Sequence, residues 1–195
     1  MKNNRFVKEV SGFTLVELLT VICILSIVLM IAIPNFIQWQ ANYRFRNAII
    51  DLYSNFQRAK SVAVRHRCLG TVTFHQPIPP PPENSESSES PEIYDYAVFI
   101  DKDNDMELDL DEMDGIIAKV KWSEYINVEF GSQSSDGVNF SYNNSGFPAV
   151  AFRPNGLPRN NKGGLGMGSV FIRNTNNNVV RSIKLASAGR VRIAN

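Results

Sequence analysis

The sequence is poor in cysteine. Cys23 and Cys68 are its only thiols in 195 residues, which excludes a disulfide framework as the source of the fold. Were residues 23–68 largely helical, the two sulfurs would stand on the order of 65 Å apart at about 1.5 Å per residue, too far for pairing within one chain. Histidine is equally scarce. His66 and His75 are the two present, and even with Cys68 they straddle a helix end and a strand without the repeated spacing of a zinc site. No Ser/His/Asp or Cys/His constellation emerges from so few imidazoles, which argues against an enzyme. Net charge is nearly absent too, at +1, but the balance conceals two segments of opposite sign.

What the chain does have is one long apolar run. Residues 1–12 are polar, with Lys2, Arg5 and Lys8, and from Phe13 the sequence reads FTLVELLTVICILSIVLMIAI, 21 residues ahead of Pro34. Such a run crosses a hydrocarbon core of about 30 Å as a helix. Cations ahead of it favour a cytoplasmic N-terminus, so the rest is expected in the periplasm, tethered to the inner membrane. A secretory signal carries its small-residue cleavage site after the apolar core; here the small residue, Gly12, comes before it. Cutting after Gly12 would keep the hydrophobic helix. Glu17 stands out, because an ionised carboxylate at lipid depth costs several kcal/mol unless it finds a cation.

The stretch Ser11-Gly12-Phe13-Thr14-Leu15-Val16-Glu17-Leu18-Leu19 resembles the processing site of type IV prepilins and type II secretion pseudopilins. The resemblance implies that a prepilin peptidase cuts between Gly12 and Phe13 and N-methylates Phe13, and that Glu17 supports assembly with other pilin or pseudopilin subunits. The physics agrees with it. The new amine of Phe13 is a cation in lipid, and Glu17 of a neighbouring subunit would neutralise it and fix the axial register. The plainer reading is a signal anchor whose Glu17 snorkels to the interface.

Pro34 is expected to kink or loosen the helix rather than end it. Beyond it Phe45, Ile49, Leu52, Phe56, Ala59 and Ala63 recur in steps of four and three, tracing one helical face that should pack on a sheet. The opposite face carries Arg44, Arg46, Arg58, Lys60, Arg65 and Arg67 and reads as solvated. From Gly70 the period becomes two. Thr71–Phe74, Tyr94–Ile100, Ile116–Trp122, Val138–Tyr142, Val150–Phe152, Ser169–Arg173 and Val179–Ala186 read as strands. Gln76–Glu92, rich in proline, serine and glutamate, reads as a flexible insertion. The glycine-rich run Gly163–Gly168 lacks the strand-to-helix setting of a phosphate loop and reads as a hairpin loop.

The expected organisation is therefore a leader over 1–12, a membrane and assembly helix over 13–35, its periplasmic continuation over 36–69 and a β-rich head over 70–195. This is an α+β, pilin-like plan: one long N-terminal helix packed on an antiparallel sheet.

Two charged segments remain. Residues 101–114, DKDNDMELDLDEMD, hold eight acids and one lysine. Asp101, Asp103, Asp105, Asp109 and Glu112 fall at positions 1, 3, 5, 9 and 12 of an EF-hand-like calcium loop, but Met106 stands where the turn glycine belongs. With strands rather than helices on either side, a solvated acidic hairpin is the favoured reading over a calcium site, and no other cofactor is indicated. From Ala151 to Asn195 there are eight Arg or Lys and no Asp or Glu. Alternation in Arg190-Val191-Arg192-Ile193 puts both arginines on one strand face, and Arg forks suit phosphates.

Arg181-Ser182-Ile183-Lys184-Leu185 followed by Gly189-Arg190-Val191-Arg192, with the Asp101 segment after Ala97-Val98-Phe99-Ile100, resembles the GspH/FimT branch of the pilin family. The resemblance implies one of two roles. GspH-like members are minor pseudopilins of the type II secretion system, whereas FimT-like members of type IV pili bind double-stranded DNA for uptake, here through Arg190, Arg192, Lys184 and Arg181. The long Pro/Ser insertion departs from the family pattern.

Overall fold

The structure is a computed structural model that describes residues 12–78, 91–131 and 137–194. The expected leader up to residue 11, with its three cations, and residues 79–90 of the expected insertion lie outside the described residues. The chain divides into two compact units, Met1–Gln40 and Ala41–Asn195. One helix, α1 (Leu15–His66), runs through both and continues past Pro34.

Thr14 starts α1. Its Oγ1 accepts the amide of Glu17 at 3.2 Å and its carbonyl accepts that of Leu18 at 3.1 Å, the N-terminal half of a capping arrangement in a Thr-x-x-Glu sequence. In the first unit residues 12–39 are all exposed, so its apolar surface has no protein core to enter.

The second unit buries the expected stripe. Phe45, Ile49, Leu52, Phe56, Ala59 and Ala63 are each 5% exposed or less, together with Ala41 and Ala48. α1 ends at His66, three residues short of the expected limit, because Arg67 takes a left-handed φ of +58° that stops the helix. Lys60 is not merely solvated: its Nζ donates to the carbonyl of Gly189 at 3.1 Å.

Among the described residues twelve strands follow in order: β1 (Leu69–Phe74), β2 (Pro77–Ile78), β3 (Glu92–Ile93), β4 (Tyr96–Asp101), β5 (Ile116–Val120), β6 (Val128–Phe130), β7 (Val138–Asn139), β8 (Ala149–Phe152), β9 (Pro158–Arg159), β10 (Gly168–Asn174), β11 (Val180–Leu185) and β12 (Val191–Ala194). They form two larger antiparallel sheets where one was expected. The first has the order β5-β4-β1-β8-β9; the second runs β12-β11-β10-β6, with β7 also on β10, and β2 pairs β3 alone. Period-two alternation tells which face a strand buries but not which strand it pairs, and β1 takes β8, whose residues lie far along the chain. Two strands were also overextended. Trp122 opens a 3₁₀ turn, Trp122–Tyr125, and packs on Tyr96 at 5.3 Å, while Val138–Tyr142 keeps only two strand residues and a bridge from Tyr142 to Pro148.

One apolar cluster joins the stripe of α1 to both sheets, through Val72, Phe74, Val98, Val150 and Phe152 on one side and Val170, Ile172, Ile183 and Val191 on the other. The Phe56 ring contacts those of Phe74, Phe140 and Phe152, and Phe74 stacks on Phe140 at 5.8 Å. A single carboxylate ties the polar side of the helix to this core. Asp51 Oδ2 accepts from Tyr96 Oη at 3.1 Å, Tyr125 Oη at 3.0 Å and Asn55 Nδ2 at 3.3 Å. Burial, reinforced by the charge of Asp51, pushes both phenols above their ordinary range.

Helix and sheet come into direct backbone contact at Gly70. A Cβ there would lie 2.2 Å from the carbonyl oxygen of Ala59, so backbone would have to move. Gly70→Ala is expected to destabilise the protein by about 3 kcal/mol, the upper range for overpacking, read as a lowered midpoint in urea unfolding followed by tyrosine and tryptophan fluorescence.

Candidate functional sites

The first site is the start of α1. Glu17 lies in its first turn, where a carboxylate faces the positive end of the helix dipole. It is the single charged residue between Phe13 and Gln40. Gly12 and Phe13 precede the helix and are exposed. Among the described residues α1 alone is long and apolar enough to cross a membrane, its most apolar window having a mean hydropathy of 2.9.

The second site is the loop that leaves β4. Asp101 is fully buried, and its Oδ2 accepts from Thr71 Oγ1 at 3.0 Å and from the Met106 amide at 3.0 Å, while Oδ1 accepts the Asn104 amide at 2.6 Å. These bonds turn the loop back so that Asp101, Asp103 and Asp105 each bring an oxygen within 4.8 Å of the others. Glu112 arrives from the 3₁₀ turn Leu110–Gly115, and its Oε1 accepts the Lys102 amide. Asp109 does not join them: its side chain is exposed and makes no capping bond, although its carbonyl accepts the Glu112 amide at 3.1 Å.

Met106 takes a φ of +66° and buries its side chain against Leu69, Ala149 and Ala151. It thus adopts the backbone conformation for which a glycine is usual, and its absent glycine is no obstacle to the loop. Nothing in the sequence singled out Thr71 or the inward turn of Met106, because both depend on which strand β1 pairs.

The third site is basic. Arg192 on β12 pairs Lys184 on β11, Lys184 pairs Ser169 on β10, and Ser169 pairs Asn139 on β7. This row and Arg190 line one open groove of about 610 Å³. Arg181 does not belong to it. It has the strand parity of Ile183 and lines a separate groove with Asn42, Arg46 and Asn177. Of the other cations in this stretch, Arg173 pairs with Glu129, and Arg153 donates to the carbonyl of Gly163. The glycine before Arg190 has a structural cause: Gly189 has a φ of +76°, and a Cβ would fall 2.6 Å from the Gly156 carbonyl oxygen.

An aligned stretch of 61 residues is 41% identical to the type IV major pilin protein PilA of Myxococcus xanthus (strain DK1622). The likeness is to a type IV pilin. It covers 31% of this chain and 28% of that pilin, so the chain matches well under two thirds of its relative. No family model and no solved structure matches the chain. Together with the apolar helix and the antiparallel head, the likeness supports the type IV pilin family in general.

Burial, and then the charges of Asp101, Asp103 and Asp105, raise the Glu112 carboxyl to about 7. Asp101 is raised as well, first by burial. The folded protein therefore holds more protons than the unfolded chain between the ordinary carboxyl range and pH 7, and its stability falls as pH rises through that window. With divalent cations chelated, Tm is expected to drop from pH 5 to pH 8, and Glu112→Gln to flatten the drop; thermal melts across that range check it.

Proposed function

We propose that this chain is a non-catalytic pilin-type subunit, cleaved between Gly12 and Phe13 by a prepilin peptidase, N-methylated at Phe13 and assembled into a periplasmic filament through the first half of α1. The observation that carries this reading is one carboxylate, Glu17, in the first turn of α1 directly after Gly12-Phe13, where the helix as far as Trp39 is otherwise uncharged and exposed throughout. A helix dipole contributes less than about 1 kcal/mol at an exposed terminus, which does not offset the cost of an ionised group in lipid. A cation from a neighbouring subunit would. After cleavage the Phe13 amine is such a cation, and its pairing with Glu17 of the next subunit would set the axial step.

Co-expression with a prepilin peptidase should yield a protein lacking residues 1–12 and carrying one added methyl group by intact-mass measurement. Glu17→Ala should be processed as before but reduce sheared filament by at least about tenfold, the scale set by losing one buried ion pair. Normal assembly of that variant would refute the pairing.

Within this class, we assign the chain to a GspH-like minor pseudopilin of the type II secretion system. The Asp101 segment after β4 and the Gly189-Arg190-Val191-Arg192 element support that branch. One observation favours a second reading, a FimT-like minor pilin that binds double-stranded DNA: Lys184, Arg190 and Arg192 line a single groove. Gel shifts and salt titrations with the full chain in detergent separate the two. DNA binding through the groove should show a salt slope reduced by about one for each of Arg190→Ala and Arg192→Ala, with Arg181→Ala weaker in effect. No binding at low salt leaves the pseudopilin.

A further inference from the structure

We propose that the loop between β4 and β5 is a calcium site whose carboxylate ligands are Asp101, Asp103, Asp105 and Glu112. The first observation is convergence. Oxygens of the three aspartates all lie within 4.8 Å of one another. Calcium holds its oxygens at about 2.3–2.6 Å, so ligands on opposite sides of one ion stand up to about 5 Å apart, and a single ion can reach all three.

The second observation is independent of the cluster and concerns Glu112. The residue is 3% exposed, and its Oε2 has no hydrogen-bond partner. Its other oxygen accepts the amide of Lys102, the residue between Asp101 and Asp103, so this carboxyl is fastened to the loop that carries the aspartates. The charged side chains acting most strongly on Glu112 are Asp101, Asp103 and Asp105, all of its own sign. A buried carboxylate oxygen with no donor, in a field set by three anions, is unfavourable by itself; a divalent cation would supply its missing partner and offset the repulsion among the acids.

The protein has already spent its donors on holding the cluster in shape. Asp101 Oδ1 accepts one amide and keeps a lone pair for an ion. Asp103 and Asp105 each accept a backbone amide two residues on, from Asp105 at 3.4 Å and Glu107 at 2.7 Å. The four acids occupy positions 1, 3, 5 and 12 of a twelve-residue calcium loop, with the backbone carbonyl of Glu107 at position 7. Asp109, at position 9, is exposed, and that position commonly acts through water. Magnesium keeps several waters and takes one or two carboxylates, so three converging aspartates with the Glu112 carboxyl fastened to the same loop favour calcium. The ion would fasten the end of β4 to the 3₁₀ turn Leu110–Gly115, and this assignment stands whether or not the chain assembles into a filament.

The test is calorimetric titration of the full chain in detergent micelles with calcium chloride, paired with melts in calcium and in EDTA. We expect one ion per chain with a Kd below about 1 mM and a Tm raised over EDTA by about 5 °C or more at a hundredfold excess over Kd. Asp103→Asn with Asp105→Asn keeps the amide-accepting oxygens, so it should weaken calcium binding by at least about tenfold through lost ligand charge while melting in EDTA no lower than wild type. If that double variant melts lower, Glu112→Gln, of the same shape, decides in the same assay: it should abolish the calcium-dependent gain in Tm. The absence of uptake at millimolar calcium, or uptake unchanged in these variants, would overturn the site. An equal rise in Tm with magnesium chloride would overturn the choice of ion.

Discussion

The head depends on the burial of one helical stripe. Phe45, Ile49, Leu52 and Phe56 are almost wholly enclosed, and each large apolar side chain so buried contributes about 1.5–3 kcal/mol. Four of them are comparable with the entire net stability of a typical domain, about 5–15 kcal/mol. The two sheets meet on this stripe rather than on each other's edges, and Gly70 must lack a Cβ because the β1 backbone there lies against the Ala59 carbonyl. The same helix, a few turns earlier, shows the opposite pattern, with every residue from 12 to 39 exposed. A backbone whose hydrogen bonds are satisfied internally tolerates both aqueous packing and lipid.

The helix was legible because its signals are local. A largely apolar run of 21 residues and a three-four spacing are both read within a few turns, and each appears in the structure; the cap at Thr14 emerged only with the fold. The sheets were half legible. Strand positions followed from alternation, yet the division into two sheets did not, since the pairing of β1 with β8 and of β10 with β6 joins segments distant in sequence. The short strands β2, β3, β6 and β9 escaped notice because two or three residues carry no measurable period, and β2 with its buried Ile78 corrects the reading of the insertion as flexible from Gln76 onward.

The candidate sites divide the same way. Spacing alone brought Asp101, Asp103, Asp105 and Glu112 to attention, but Asp109 and Arg181 show its limit. Asp109 is turned outward at the start of a 3₁₀ turn, and Arg181 falls on the strand parity opposite to Lys184, so charge density along the chain overstated how many cations share a surface. The Asp51 hub could not be read at all, since its phenols come from Tyr96 and Tyr125, and only the folded chain brings them to one carboxylate oxygen.

Strand β12 lies at the margin of the second sheet and pairs with β11 alone among the described residues. A strand in that position offers a row of backbone donors and acceptors to any extended chain that drifts alongside, and crowding many identical copies makes such an encounter frequent. Arg192 stands on that margin and Arg190 immediately before it, both exposed. Two copies approaching margin to margin would bring like charges together before their backbones could bond. The guanidinium groups that line the basic groove thus also place positive charge at and beside an open sheet edge, a feature that opposes edge-to-edge pairing.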